Sequence, residues 1–244
     1  MYNYRFKAEY LGTPFCGWQK QPHSITVQGE IEKALYVIFK QTIKTLGSGR
    51  TDTGVHAAAQ VVSFSYPQNI DISKTMHSLN GILGSNIAIY DLELCELDFH
   101  PRYAAKSRTY HYQITTRKSP LSSNTTWHVY YQLDIEAMQS EIKTMLGTHD
   151  FNEFSIPRKD GRSTECHIQN AEIITEGNII TIVIQGNRFL HGMMRAIVGH
   201  LILVGRKKMS VGSFKQILSK KDQVQKHWAQ AHGLTLHQIE YDDF

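Results

Sequence analysis

The chain has 244 residues, 41% hydrophobic and 20% charged, enough apolar mass for one large domain or two small ones with a real core. A formal net charge of +4 permits contact with a polyanion without demanding it. Three widely spaced cysteines, Cys16, Cys95 and Cys166, with no C-x-x-C pair, argue against a disulfide framework or a cysteine zinc site. They point to a reducing, cytoplasmic setting.

The opening residues have no apolar core of signal-peptide type. "RFKAEYL" reads as a strand. From Thr26 to Lys40, Val27, Ile31, Leu35, Ile38 and Phe39 recur at helical spacing, with Thr26 as N-cap. A short strand from Thr42 to Leu46, the loop "GSGRTDTGVHA" and a strand "AQVVSFSY" follow. A helix over Ile72 to Leu83 and a strand "NIAIYDLEL" complete a β-α-β-β-α-β order, which is that of a ferredoxin-like unit.

The second half varies that order. "KSRTYHYQITT" reads as a strand, Asp134 to Leu146 as a helix, and "AEIITEGNIITIVIQG" as a hairpin turning at Glu176-Gly177-Asn178. Helices are expected over Phe189 to Val204 and Val211 to Ser219, then a last strand "LTLHQIEY". The first of these is the most apolar segment, but His191, Arg195 and His200 interrupt it, so no membrane span is expected. Pro101, in "DFHPRYAAK", marks the joint. The fold class expected is α+β, in two halves, 1–103 and 104–244, with mostly antiparallel sheets, flanking helices and a central cleft.

Within "GSGRTDTGVHA" the glycines suggest a phosphate cradle, but neither the Walker nor the dinucleotide spacing is met, and Asp52 would repel a phosphate. A charge in a tight loop costs free energy unless it is paired. Asp52 therefore reads either as a reactive carboxylate or as the acceptor of an Asx-turn. Arg50 could meet a substrate phosphate. On "SRTYHYQI" the strand period puts Arg108, Tyr110, Tyr112 and Ile114 on one face. That face suits stacking of an unpaired base, but the strand preference of tyrosine favours plain sheet packing when the stretch is taken alone. In "NRFLHGMMRAIVG", Arg195 interrupts an apolar helix and is expected either to snorkel or to pair with a carboxylate, Asp52 being the choice. His191, four residues earlier, lacks further metal ligands. The basic runs "RKDGR" (Arg158 to Arg162) and "GRKK" (Gly205 to Lys208) read as solvated loops that could meet phosphates.

Taken in order, "YLGTPFCGWQKQP", "TVQGEIEKAL", "GSGRTDTGVHA", "SRTYHY", "HDFNEFS" and "RFLHGMMRAIVG" resemble the TruA family of tRNA pseudouridine synthases along nearly the whole chain. The resemblance implies the pseudouridine synthase fold, a homodimer, and no cofactor or metal. It implies Asp52 as the catalytic aspartate, Tyr110 as the ring that stacks on the target uracil, and Arg195 as the basic residue paired with the aspartate. Arg50 and His56 are implied near the RNA, and Arg108 joins Tyr110 on the substrate face. The implied reaction is isomerisation of uridine to pseudouridine at positions 38, 39 and 40 of the tRNA anticodon stem-loop. The chain departs from the family pattern at His191-Gly192, at Ala196 and at Gly84. Two rivals are an RNA-binding protein that lost catalysis and an unrelated hydrolase using Asp52. The second lacks a visible second acid or metal.

Overall fold

The computed structural model describes residues 1–157, 161–219 and 225–242; Arg158, Lys159 and Asp160 of the first basic run lie outside the described residues. Two compact units divide the chain, one of residues 1–106 and 236–244, the other of residues 107–235. The closing residues therefore return to the first unit, whereas the sequence reading runs the second half to its end.

The first unit begins with strand β1 (Tyr2–Tyr10) and helix α1 (Val27–Phe39), followed by strands β2 (Thr45–Gly47) and β3 (His56–Tyr66). Helix α2 (Ile72–Ile82) and strand β4 (Ile87–Cys95) close the expected β-α-β-β-α-β order. β1 lies between β3 and β4, antiparallel to both, and β2 pairs antiparallel with β3. Strand alternation turns Tyr4, Phe6 and Ala8 of β1 fully inward, and Tyr4 stacks on Phe64 across the ladder with centroids 5.4 Å apart. Ile31, Ala34 and Leu35 of α1 bury against this face, as does Leu79 of α2. α1 starts where Thr26 accepts from the Gly29 N–H and ends at Lys40 in a left-handed conformation, φ 55°.

The second unit holds strands β5 (Ser107–Thr115), β6 (Trp127–His128), β7 (Gly147–Asp150), β8 (Glu165–Glu176) and β9 (Ile179–Gly186). Its order is β5-β9-β8-β7, antiparallel throughout, with the short β6 running parallel beside β5. β8 and β9 form the expected hairpin, its two-residue turn opened by Gly177 at φ 59°. Helices α3 (Ile135–Lys143), α4 (Met193–Gly205) and α5 (Ser213–Leu218) complete it, and β10 (Leu234–Glu240) leads back to the first unit beside β3. Most of α4 is buried on every side, as expected for a helix apolar all round. Glu141 of α3, fully buried, accepts from the Gly212 and Phe214 N–H groups and the Ser213 hydroxyl, which satisfies the free donors at the start of α5. Among the described residues no helix is long and apolar enough to cross a membrane.

Candidate active site

Asp52 sits on a turn of the first unit, half-buried. The Val55 N–H donates to the Asp52 carbonyl at 3.1 Å, and Gly54 at φ 79° takes the position where such a turn needs a left-handed residue. This main-chain bond closes the turn. On one side, Ser48 donates its N–H to the Val61 carbonyl, while Gln60 accepts from the Ser48 hydroxyl at 2.5 Å and donates to the Gly49 carbonyl.

The other side is held by the segment joining β1 to α1. Trp18, 2% exposed, donates its backbone N–H to the Thr51 carbonyl at 3.1 Å, and the Tyr10 hydroxyl meets the Thr51 hydroxyl at 2.8 Å. Two glycines let the chains touch. A Cβ on Gly12 would lie 2.0 Å from the Val55 carbonyl oxygen, and one on Gly17, itself at φ 81°, would lie 2.7 Å from that of Thr51. His56, expected at the substrate, is 3% exposed, and its Nδ1 accepts from the Gly12 N–H at 2.9 Å. That bond leaves Nδ1 unprotonated and makes the ring a strut between the two segments. Arg50 stands exposed. The role of Tyr10, Gly12, Gly17 and Trp18 as a support was missed from sequence, although "YLGTPFCGW" had been singled out as a block.

Arg108, Tyr110 and Arg195 belong to the second unit. Along the inward face of β5, Tyr112 and Ile114 are fully buried while Arg108 and Tyr110 are half-buried, so this face opens at its N-terminal end. The Phe189 ring meets Tyr110 edge-on, centroids 4.9 Å apart, and Arg108 donates to the Asn187 carbonyl at 2.8 Å. The loop before α4 thus steadies both side chains.

α4 begins at Met193, not at Phe189, because Gly192 adopts φ 72° and breaks the helix there. Phe189 and His191 therefore precede the helix, and the helix face expected to join His191 with Arg195 does not exist. Arg195 stays in the first turn, half-buried, where its Nε donates to the Ala229 carbonyl at 2.9 Å and its own carbonyl accepts from the Ala229 N–H at 3.0 Å. The strap carrying Ala229 crosses α4 at Gly199, where a Cβ would lie 1.9 Å from the His227 carbonyl oxygen. Tyr112 donates to the Gln230 carbonyl at 2.8 Å. Burial pushes the Tyr112 phenol well above its usual range, and the Arg195 charge offsets part of the rise. The second unit so gathers Arg195 and Tyr112, with Tyr110 two residues along the same strand face.

Burial also pushes the thiols of Cys95 and Cys166 up to about 11. At neutral pH both are protonated, which leaves them poor nucleophiles beside a carboxylate.

A fold of antiparallel α+β units, with an aspartate on a backbone-held turn and an aromatic-cationic strand face, fits an RNA-modifying enzyme. The sequence model of the family described as "tRNA pseudouridine synthase" matches residues 7–104 and 142–242, which include Asp52 and Arg195 and leave Tyr110 between the two segments. A protein from Francisella philomiragia named "tRNA pseudouridine synthase A" is 38% identical over 100% of this chain and 96% of its own. One of the same name from Parabacteroides distasonis is 37% identical over 91% of this chain and 88% of its own, and one from Francisella tularensis subsp. holarctica is 37% identical over 100% and 96%. The chain belongs to the tRNA pseudouridine synthase family.

Proposed function

We propose that this protein isomerises uridine to pseudouridine in tRNA, at positions 38, 39 and 40 of the anticodon stem-loop, with Asp52, Tyr110 and Arg195 as the reacting set. The observation that supports it most is the Asp52 turn. Its closure is made by main-chain atoms, with Gly54 in the turn and an outside brace of Gly12, Gly17 and Trp18 that fixes where Asp52 stands. A family match running through that turn gives the chemistry its class.

In the reaction the bond between uracil N1 and ribose C1′ breaks, the base turns over, and C5 joins C1′. The C5 proton then leaves and N1 gains one, so no group is lost and no electron is exchanged. A carboxylate can serve this by adding to uracil, attacking C1′ or removing the C2′ proton. Tyr110, half-buried and steadied edge-on by Phe189, gives a flat face for a uracil taken out of the stack. Removing the base from the stack costs a few kcal/mol, which stacking and phosphate contacts offset. Arg195, its Nε held by the Ala229 carbonyl, is assigned to Asp52 as the basic partner of the carboxylate. Arg50 and Arg108 are assigned to the RNA backbone, and His56 to holding the loop. A homodimer is the expected assembly.

The deciding measurement is a carbodiimide readout of pseudouridine on unmodified tRNA. Asp52→Asn is expected to abolish product while tRNA affinity stays within about tenfold. Product formed at the normal rate by the variant, or an equal loss of binding and folding, would return Asp52 to a turn-forming role.

A further inference from the structure

The second unit carries a hollow of about 400 Å³ that the reaction above does not use. Thr116, Val129, Tyr130, Tyr131, Leu133 and Ile180 line it. Tyr130 is 81% exposed and Tyr131 50%, unusual for rings at the mouth of an apolar hollow. The guanidinium carbon of Arg206, just past the end of α4, lies 3.6 Å from the Tyr131 ring centroid, and the His128 ring lies 4.2 Å from that of Tyr130. Lys207 and Lys208 extend the charge. Lys207 is held at φ 57°, where glycine would be less strained. Cations after a helix C-terminus complement the helix dipole, which accounts for the charge but not for the two exposed tyrosines beside it. The acidic neighbour Asp134 caps α3 through the Ala137 N–H at 3.1 Å and meets Lys207 at 3.5 Å.

Flat rings open to solvent, a guanidinium already stacked on one of them and two lysines next to that arginine in sequence suit one chemistry: an unpaired base with its phosphate. We infer that this hollow binds a second, non-reacting nucleotide of the tRNA substrate. The base lies on Tyr130 and Tyr131, and Arg206 and Lys208 meet the adjoining phosphates. Six residue steps along β5 and its exit lead from Tyr110 to Thr116, so this nucleotide sits about 20 Å from the target uridine along the strand. A ring ordered beforehand by Arg206 loses less freedom when a base arrives. A second copy of the chain fits less well, because a two-fold contact through this face would set like charges opposite each other. The inference rests on the tRNA reading above.

The test compares wild type with the Tyr130→Ala/Tyr131→Ala double variant for tRNA affinity, turnover at saturating tRNA and solution mass. The expected result is a dissociation constant raised about tenfold, with turnover and mass unchanged, and with affinity kept in Tyr131→Phe. Should the double variant unfold, Arg206→Gln is expected to weaken binding about threefold to tenfold. Affinity within twofold of wild type in a folded double variant, or in Arg206→Gln if that must stand in, overturns the proposal. A change in mass does so too, by making the hollow a contact between copies. Wild-type protein that binds tRNA through these tyrosines yet forms no pseudouridine would sink the enzymatic reading and leave the hollow standing.

Discussion

The two units present their chemistry in opposite ways. In the first, Asp52 rides on an irregular turn whose shape comes from a second irregular segment, backbone against backbone, with Gly12 and Gly17 as the points of contact. In the second, Tyr110 and Arg195 sit on a strand and a helix, and only their side-chain ends are steadied by loops, through Phe189 and Ala229. A turn has no ladder of its own, so its precision must come from tight tertiary contact. A strand or helix brings its own geometry and needs only an orienting hydrogen bond.

Glycine replacements break that contrast most directly. At Gly12 an added Cβ meets the Val55 carbonyl, carbon and amide nitrogen at 2.0, 2.4 and 2.9 Å, beside the start of a central strand that cannot move. Gly12→Ala is expected to cost about 4 kcal/mol in denaturant unfolding. At Gly199 the clash is as close, 1.9 Å, but its partner is the His227 carbonyl on a partly exposed strap. Gly199→Ala is therefore expected to displace the strap, costing about 1–2 kcal/mol while turnover falls more than stability. Equal losses of stability in the two variants would remove the distinction between a braced turn and a movable strap.

How much of this was legible beforehand follows the same division. The order of strands and helices could be read because Tyr4, Phe6 and Ala8 alternate and because Ile31 and Leu35 recur at helical spacing. Asp52, Tyr110 and Arg195 stood out as polar groups in glycine-rich or apolar surroundings. What holds them did not. Gly12 and Gly17 do their work against Val55 and Thr51, some forty residues away, and no local period records such a contact. The apolar spacing of Phe189, Met193 and Ile197 runs straight through Gly192, so periodicity could not see that the helix starts only at Met193. The strap around Ala229 has no period at all. Its position is fixed by where α4 allows a close approach.

Arg195→Lys sharpens the comparison on the helix side. Lysine keeps the charge but loses the Nε donor that the Ala229 carbonyl orients, and its ammonium cannot hold a planar fork. Turnover is expected to fall about 100-fold with the unfolding midpoint nearly unchanged, read by single-turnover kinetics beside a thermal melt. A lysine variant with wild-type turnover would show that charge alone suffices. On the loop side, Tyr10→Phe removes the 2.8 Å contact with the Thr51 hydroxyl. About 1 kcal/mol of stability and a few-fold in kcat are expected, with KM unchanged. A loss confined to KM would mean that the phenol serves RNA binding instead of the turn.

The smallest effect expected is a dependence on pH carried by His200. Its ring is 1% exposed, with the Phe154 centroid at 5.3 Å, His227 at 5.7 Å and Phe214 at 6.4 Å, while Nδ1 bonds the Ala196 carbonyl at 2.7 Å. Burial lowers its pKa from the ordinary 6.5; the bond to Ala196 opposes this, and the nearby His227 and Lys226 add to it. The unfolded chain therefore binds a proton more readily than the folded one. The stability contributed by the neutral ring is present above about pH 6.5 and is lost as pH falls through the lowered folded value. Hydrogen exchange, corrected for intrinsic rate, should show α4 amides losing protection between pH 7.5 and 5 while β1 amides change little. His200→Leu should flatten the α4 response. An unaltered slope in that variant would move the acid sensitivity to another group.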